Sequence, residues 1–234
     1  VMNYPFRTAA IAYLKGGDAR EFLEVMETIR ENYPPQAFLA NMNFLGTHDT
    51  ARILTVLGAD AAPESKEARA DFRLSPTQRQ RGTARLRLAA LLLFSFPGVP
   101  TVFYGDEAGM EGWEDPLNRG TYPWGQEDHS IRAFFKAFAA LRKTRPSLRR
   151  GGLRWLWAEG PLLSFIRETD GEWTAAVLNV SPEARSLTLD LGPCADLLTN
   201  QRFSPQDGAL TLELPPYGGM LLRNVSRETS SPSE

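Results

Sequence analysis

Two stretches of this chain share one plan, and that repetition constrains the fold more than any other feature. In the first, the apolar run Asn43-Phe44-Leu45-Gly46 stops in Thr47-His48-Asp49 and passes at Thr50 into a helical pattern. In the second, a helix starting at Ser75 leads into Val99-Pro100-Thr101-Val102-Phe103-Tyr104, which ends in Gly105-Asp106-Glu107. Helix, buried strand and carboxylate at the strand tip, twice in succession, predict a parallel α/β sheet or barrel, where reacting side chains gather at the C-terminal ends of the strands. Taken alone, a His beside an Asp is more often a helix cap or a surface pair. Its place at such a tip is what singles out His48 and Asp49.

The rest of the first 150 residues fits helices around these strands. Val1 to Phe6 reads as a strand end closed by Pro5. Asp18 is placed to cap a helix running to about Asn32, with Phe22, Leu23, Met26 and Ile29 at helical spacing. Pro34-Pro35 stop it and begin a shorter helix whose Phe38, Leu39 and Met42 should face inward. Residues 58–73 are charged and poor in large apolar groups, which predicts a long excursion at the rim. Ser75-Pro76-Thr77-Gln78 then supplies a capping box with Pro at the first helical position, and the helix should run to about Phe94. Leu88 to Phe96 is the most apolar run, too short to span a bilayer and so a buried helix end. A last helix from about Asp128 to Arg142 should bury Ile131, Phe134, Phe135, Phe138 and Leu141 along one face.

Beyond Gly151-Gly152 the period changes to short alternating strands: 153–157, 162–167, 173–179, 185–189, 210–214 and 219–223. Glu168-Thr169-Asp170-Gly171 is a hairpin turn between the second and third of them. The predicted organisation is therefore α/β over residues 1–150, an antiparallel β-sandwich over 151–225, and a disordered Ser- and Glu-rich tail over 226–234.

Composition narrows the function classes. Twenty-six basic against 28 acidic residues give a net charge of -2, with no basic patch, which argues against nucleic acid as a partner. The single Cys194 excludes an intrachain disulfide framework and any thiolate cluster for a structural metal. No stretch predicts a membrane span. Val1 to Phe6 has neither the basic nor the apolar region of a signal peptide and reads as the middle of something longer.

Three blocks carry a family resemblance. Val1 to Phe6, the stretch Phe44-Leu45-Gly46-Thr47-His48-Asp49, and the stretch Gly98-Val99-Pro100-Thr101-Val102-Phe103-Tyr104-Gly105-Asp106-Glu107-Ala108-Gly109 resemble, in that order, the sixth, seventh and eighth strand regions of alpha-amylase-superfamily glycoside hydrolases. The likeness is greatest to the neopullulanase, cyclomaltodextrinase and maltogenic-amylase branch. It implies the last strands and helices of a (β/α)8 barrel followed by the C-terminal sandwich those enzymes carry, so it covers nearly the whole chain.

For activity, the resemblance implies part of a retaining hydrolase of α-1,4 and in some cases α-1,6 links in maltodextrins, cyclodextrins or pullulan. It makes Asp49 the carboxylate that stabilises the transition state and His48 an adjacent donor to the same sugar. Asp115 and Arg119 would grip glucose hydroxyls away from the cleavage point, and Trp113, Tyr122 and Trp124 offer faces that could stack on sugar rings. Asp106 and Glu107 are expected to be structural, Arg52 to pair with a nearby carboxylate, and His129 to be solvated.

The family's nucleophile Asp and acid/base Glu, from the fourth and fifth strands, would both precede Val1. The resemblance thus implies a chain inactive alone, with an α-glucan oligosaccharide and the missing N-terminal barrel portion as its partners. Self-association is expected if the open strand edge is otherwise uncovered. No metal site or cofactor is expected within the chain, calcium is left to a longer parent, and the cytoplasm is favoured for this branch. A sugar-binding homologue without chemistry and a glucanotransferase are the alternatives.

Overall fold

The computed structural model describes residues 1–225. The tail expected to be disordered lies outside the described residues.

Helix α1 (Tyr4–Leu14) starts where the sequence suggested a strand. Asn3 caps it, its side chain accepting the Phe6 N–H, and Pro5 sits in the first turn. All that remains of the expected strand is a parallel bridge between Met2 and Met42. The reason is local: Pro in the first helical turn forfeits no hydrogen bond, and an Asn cap before it favours a helix start. Helix α2 (Ala19–Asn32) is capped by Asp18 and buries Phe22, Met26 and Ile29, as its spacing predicts. In α3 (Pro35–Leu39) Phe38 is buried, but Leu39 is exposed, against expectation.

Strand β1 (Met42–Phe44) pairs in parallel with β2 (Val99–Thr101). Between them lie α4 (Ile53–Gly58), the short α5 (Lys66–Asp71) within the rim excursion, and α6 (Pro76–Ser95). Both halves of the expected capping box of α6 form. Strand β2 is shorter than its apolar run suggested, ending at Thr101, and the chain then turns at Gly105, whose φ is 86°. Two asparagines lock the base of these strands: Asn3 donates to Asn43 at 2.9 Å, and Asn43 donates to the Pro97 carbonyl at 2.7 Å. Gly98 lies against this lock, with φ at 119°, and a Cβ there would meet Asn43 Nδ2 at 2.6 Å. Among the described residues the parallel pair is a two-stranded sheet and not a closed barrel.

After α7 (His129–Thr144) and α8 (Pro146–Arg150) the chain is antiparallel. Strands β3 (Gly152–Glu159), β4 (Leu162–Thr169), β5 (Glu172–Asn179), β7 (Cys194–Asp196), β8 (Arg202–Phe203) and β10 (Gly219–Asn224) form one sheet, in the order β3-β4-β5-β10-β7-β8. Strands β6 (Arg185–Leu189) and β9 (Leu210–Leu214) form the second layer. The sequence pattern did not reveal β7 and β8, which are three and two residues long, too short for an alternation to register.

Leucines 187, 189, 210, 212 and 214 pack on Ile166, Val177 and Leu222 between the two layers. The other face of the large sheet, through Leu163, Phe165, Ala176, Leu178 and Leu221, joins the same core as Phe6, Phe22 and the α6 leucines. Strands β4 and β5 are therefore covered on both faces. At this junction Arg167 is fully buried, donating to the carbonyls of Gly151 and Ser95. Arg142 donates to those of Phe94, Phe96 and Gly98. Two guanidinium groups thus satisfy carbonyls at and just beyond the C-terminus of α6, where positive charge is favoured. Burial pushes Arg167 down to about 9 and Arg142 to about 10.

Candidate active-site wall

The tip of β1 forms a tight turn. Thr47 N–H donates to Thr50 Oγ1 at 3.0 Å, Thr50 N–H returns to the Thr47 carbonyl at 3.2 Å, and Asp49 N–H donates to Thr47 Oγ1. The turn absorbs its own polar groups, so His48 and Asp49 project outward, their side chains 62% and 57% exposed. His48 Nε2 lies 3.2 Å from Asp49 Oδ1.

The loop after β2 arrives beside this turn. Arg119 Nε is 2.7 Å from Asp115 Oδ1, and Arg119 Nη2 is 3.9 Å from Asp49 Oδ1. Arg119 also donates to the His48 carbonyl at 3.2 Å. His48, Asp49, Asp115 and Arg119, far apart in sequence, thus form one open cluster with one imidazole, one guanidinium and two carboxylates. Such a surface can donate to and accept from vicinal hydroxyls. Among the described residues, no group of three or more His, Cys, Asp and Glu side chains could hold a metal ion.

The aromatic side chains of the loop divide. Trp113 is buried against Phe72, with ring centroids 5.4 Å apart, so it is a core residue and presents no face to a sugar. Tyr122 and Trp124 pack together at 4.6 Å, and Trp124 is 81% exposed. His129 is exposed at the start of α7, as expected.

Beneath the cluster sits a buried ion pair, Arg52 with Asp106, at 3.3 Å. Arg52 also donates to the Asn118 carbonyl at 2.8 Å and to that of Tyr104, and stacks on the rings of Phe103 and Tyr104. Pairing of Arg52 with a carboxylate was legible from the sequence; its complete burial was not. Gly46 leaves room for the pair, since a Cβ there would meet Asp106 Oδ2 at 2.5 Å. Burial pushes the Asp106 carboxyl up to about 7, against the opposing pull of Arg52.

This sets a pH dependence. Asp106 is raised above its ordinary value of 3.8, so the stability it contributes is complete below that value and is lost as pH rises through about 7. The melting temperature of Asp106→Asn, measured relative to wild type, is therefore expected to rise between about pH 4 and pH 7 and to level off above. A flat or falling difference would refute the assignment.

Comparison with known proteins gives a consistent pattern. A model of the alpha amylase catalytic domain matches residues 1–155, and one of the maltogenic amylase C-terminal domain matches residues 156–221. An amylopullulanase of Thermoanaerobacter thermohydrosulfuricus is 34% identical over 95% of this chain, which spans 16% of that protein. A cyclomaltodextrinase of Geobacillus thermopakistaniensis is 32% identical over 94% of this chain, which spans 36% of it. The crystal structure of a debranching enzyme from Nostoc punctiforme superposes with a TM-score of 0.79 at 26% identity, over 96% of this chain and 47% of that one.

Proposed function

This chain belongs to the alpha-amylase family of glycoside hydrolases, and from that premise we propose that it forms one wall of the active site of a retaining α-glucan hydrolase. Its substrates in this reading are maltodextrins, cyclodextrins or pullulan, cleaved at α-1,4 and in some cases α-1,6 links. The observation that carries the reading is the convergence of His48, Asp49, Asp115 and Arg119 on one exposed surface at the strand tips.

A retaining glycosidase works with a nucleophilic carboxylate and a carboxyl acid/base about 5 Å apart. In this proposal both come from the barrel portion that precedes the chain. Asp49 accepts hydrogen bonds from hydroxyls of the reacting ring, strengthening them as positive charge develops, and its own charge favours the protonated form of the neighbouring acid. His48 donates to the same ring. Asp115 and Arg119 hold a glucose unit on the nonreducing side of the cleavage point. The absent strands of the wall would cover the edges and apolar groups left open around the parallel pair, where Met2, Tyr4, Val99, Val102 and Tyr104 are exposed.

The test compares the chain alone with the chain joined to the preceding segment of its own gene. Reducing sugar released from maltodextrin or cyclodextrin is expected only from the joined protein. Release by the chain alone would overturn the proposal, as would an inactive, folded joined protein that carries both upstream carboxyl residues.

A further inference from the structure

Asn118 lies between Asp115 and Arg119 in the Asp115-Pro116-Leu117-Asn118-Arg119 loop, yet it is fully buried. Its amide nitrogen donates to three carbonyls of the turn after β1: His48 at 2.8 Å, Thr50 at 2.9 Å and, more weakly, Thr47 at 3.4 Å. Three converging acceptors fix the amide's orientation, because the flipped form would set its oxygen against three carbonyl oxygens. The Asn118 backbone is held in turn, its carbonyl accepting from Arg52, which is anchored on Asp106.

We propose that Asn118 is a positioning residue that fastens the His48–Asp49 turn to the Asp115–Arg119 loop. Asn118 touches no sugar itself. Together with the Arg119 bond to the His48 carbonyl, it makes the turn that faces the reacting ring and the loop that grips the neighbouring glucose move as one body. A loop and a strand tip joined only by exposed ion pairs would not hold their relative placement, since such pairs contribute little in water. A buried amide bonded to the backbone of the partner segment does, because an unmet buried carbonyl is costly.

The meaning of this coupling for sugar binding rests on the function proposed above, but its test does not. The chain has two histidines, so a sample labelled at histidine Cε1 gives one signal from the turn and one, from His129, as an internal control. In Asn118→Ala, which removes the donor, and in Asn118→Asp, which keeps the shape, the His48 signal is expected to shift or split while that of His129 stays in place. Hydrogen exchange at the Thr50 amide, which bonds within the turn, should quicken by about tenfold, with exchange in α6 unchanged. An unmoved His48 signal in both variants would overturn the proposal. So would equal movement of His48 and His129, which would make Asn118 an ordinary core group. Loss of hydrolysis in the joined protein plays no part in this outcome, so the two readings can fail separately.

Discussion

Asp49→Asn is expected to lower kcat of the joined protein by about 30- to 1,000-fold, with a much smaller change in KM. The substitution keeps size and most of the shape but replaces a charged acceptor by a neutral amide. Preorganised hydrogen bonds to a developing charge contribute about 2–4 kcal/mol each to the barrier, which sets the range. In the function proposed above, the effect falls on kcat because the interaction strengthens in the transition state, whereas binding of the ground-state sugar would also draw on Asp115 and Arg119. The exposed carboxylate of Asp60, engaged with Arg81 and Gln78, is the control: Asp60→Asn should leave kcat unchanged. Steady-state kinetics on maltotriose decide it, and an Asp49→Asn enzyme that turns over at the wild-type rate would remove Asp49 from the mechanism.

The largest effect on stability should come from Phe96→Ala. Phe96 lies at the end of α6, almost fully buried, with ring centroids 5.5–6.3 Å from Phe6, Phe22, Phe38, Trp155 and Phe165. These side chains come from α1, α2, α3, β3 and β4, so this ring joins the helical half to the sandwich. Truncation removes the aromatic contacts and leaves a cavity that five rigid neighbours cannot readily close, a loss of about 3–5 kcal/mol. For a chain of this size, that corresponds to a fall in Tm of roughly 6–20 °C. Both halves should still melt in one transition, because they share one core. Trp124→Ala, at an exposed ring, should change stability by less than about 0.5 kcal/mol. A Phe96→Ala protein that melts within about 1 °C of wild type would show that the two halves do not depend on this contact.

The elements that were legible in the sequence carry their signal locally. Asp18 before α2 and Ser75-Pro76-Thr77-Gln78 before α6 announce helix starts, because a cap is satisfied by backbone groups two or three residues away. The alternation from Leu162 to Asn179 and the turn at Asp170-Gly171 likewise fix a hairpin. At Tyr4 the local signals conflicted, an apolar run against an Asn cap and a Pro, and the cap prevailed. Trp113 was ambiguous for another reason: an aromatic residue in a polar loop reads alike whether it faces solvent or the ring of Phe72.

For the site, sequence alone picked out His48, Asp49, Asp115 and Arg119, since residue type and order are all that a motif contains. It could not indicate that Arg119 reaches the His48 carbonyl, that Asn118 binds the turn from within, or that Arg52 and Asp106 are buried beneath both. Those contacts join residues 54 to 71 positions apart, and their strength depends on exclusion of water, which no local pattern encodes. The chain's own chemistry thus determined which groups are proposed to meet a sugar. The packing of α6, the β1 tip and the Asp115–Arg119 loop decided that they meet on one surface, because only the folded core places a buried amide where three carbonyls converge.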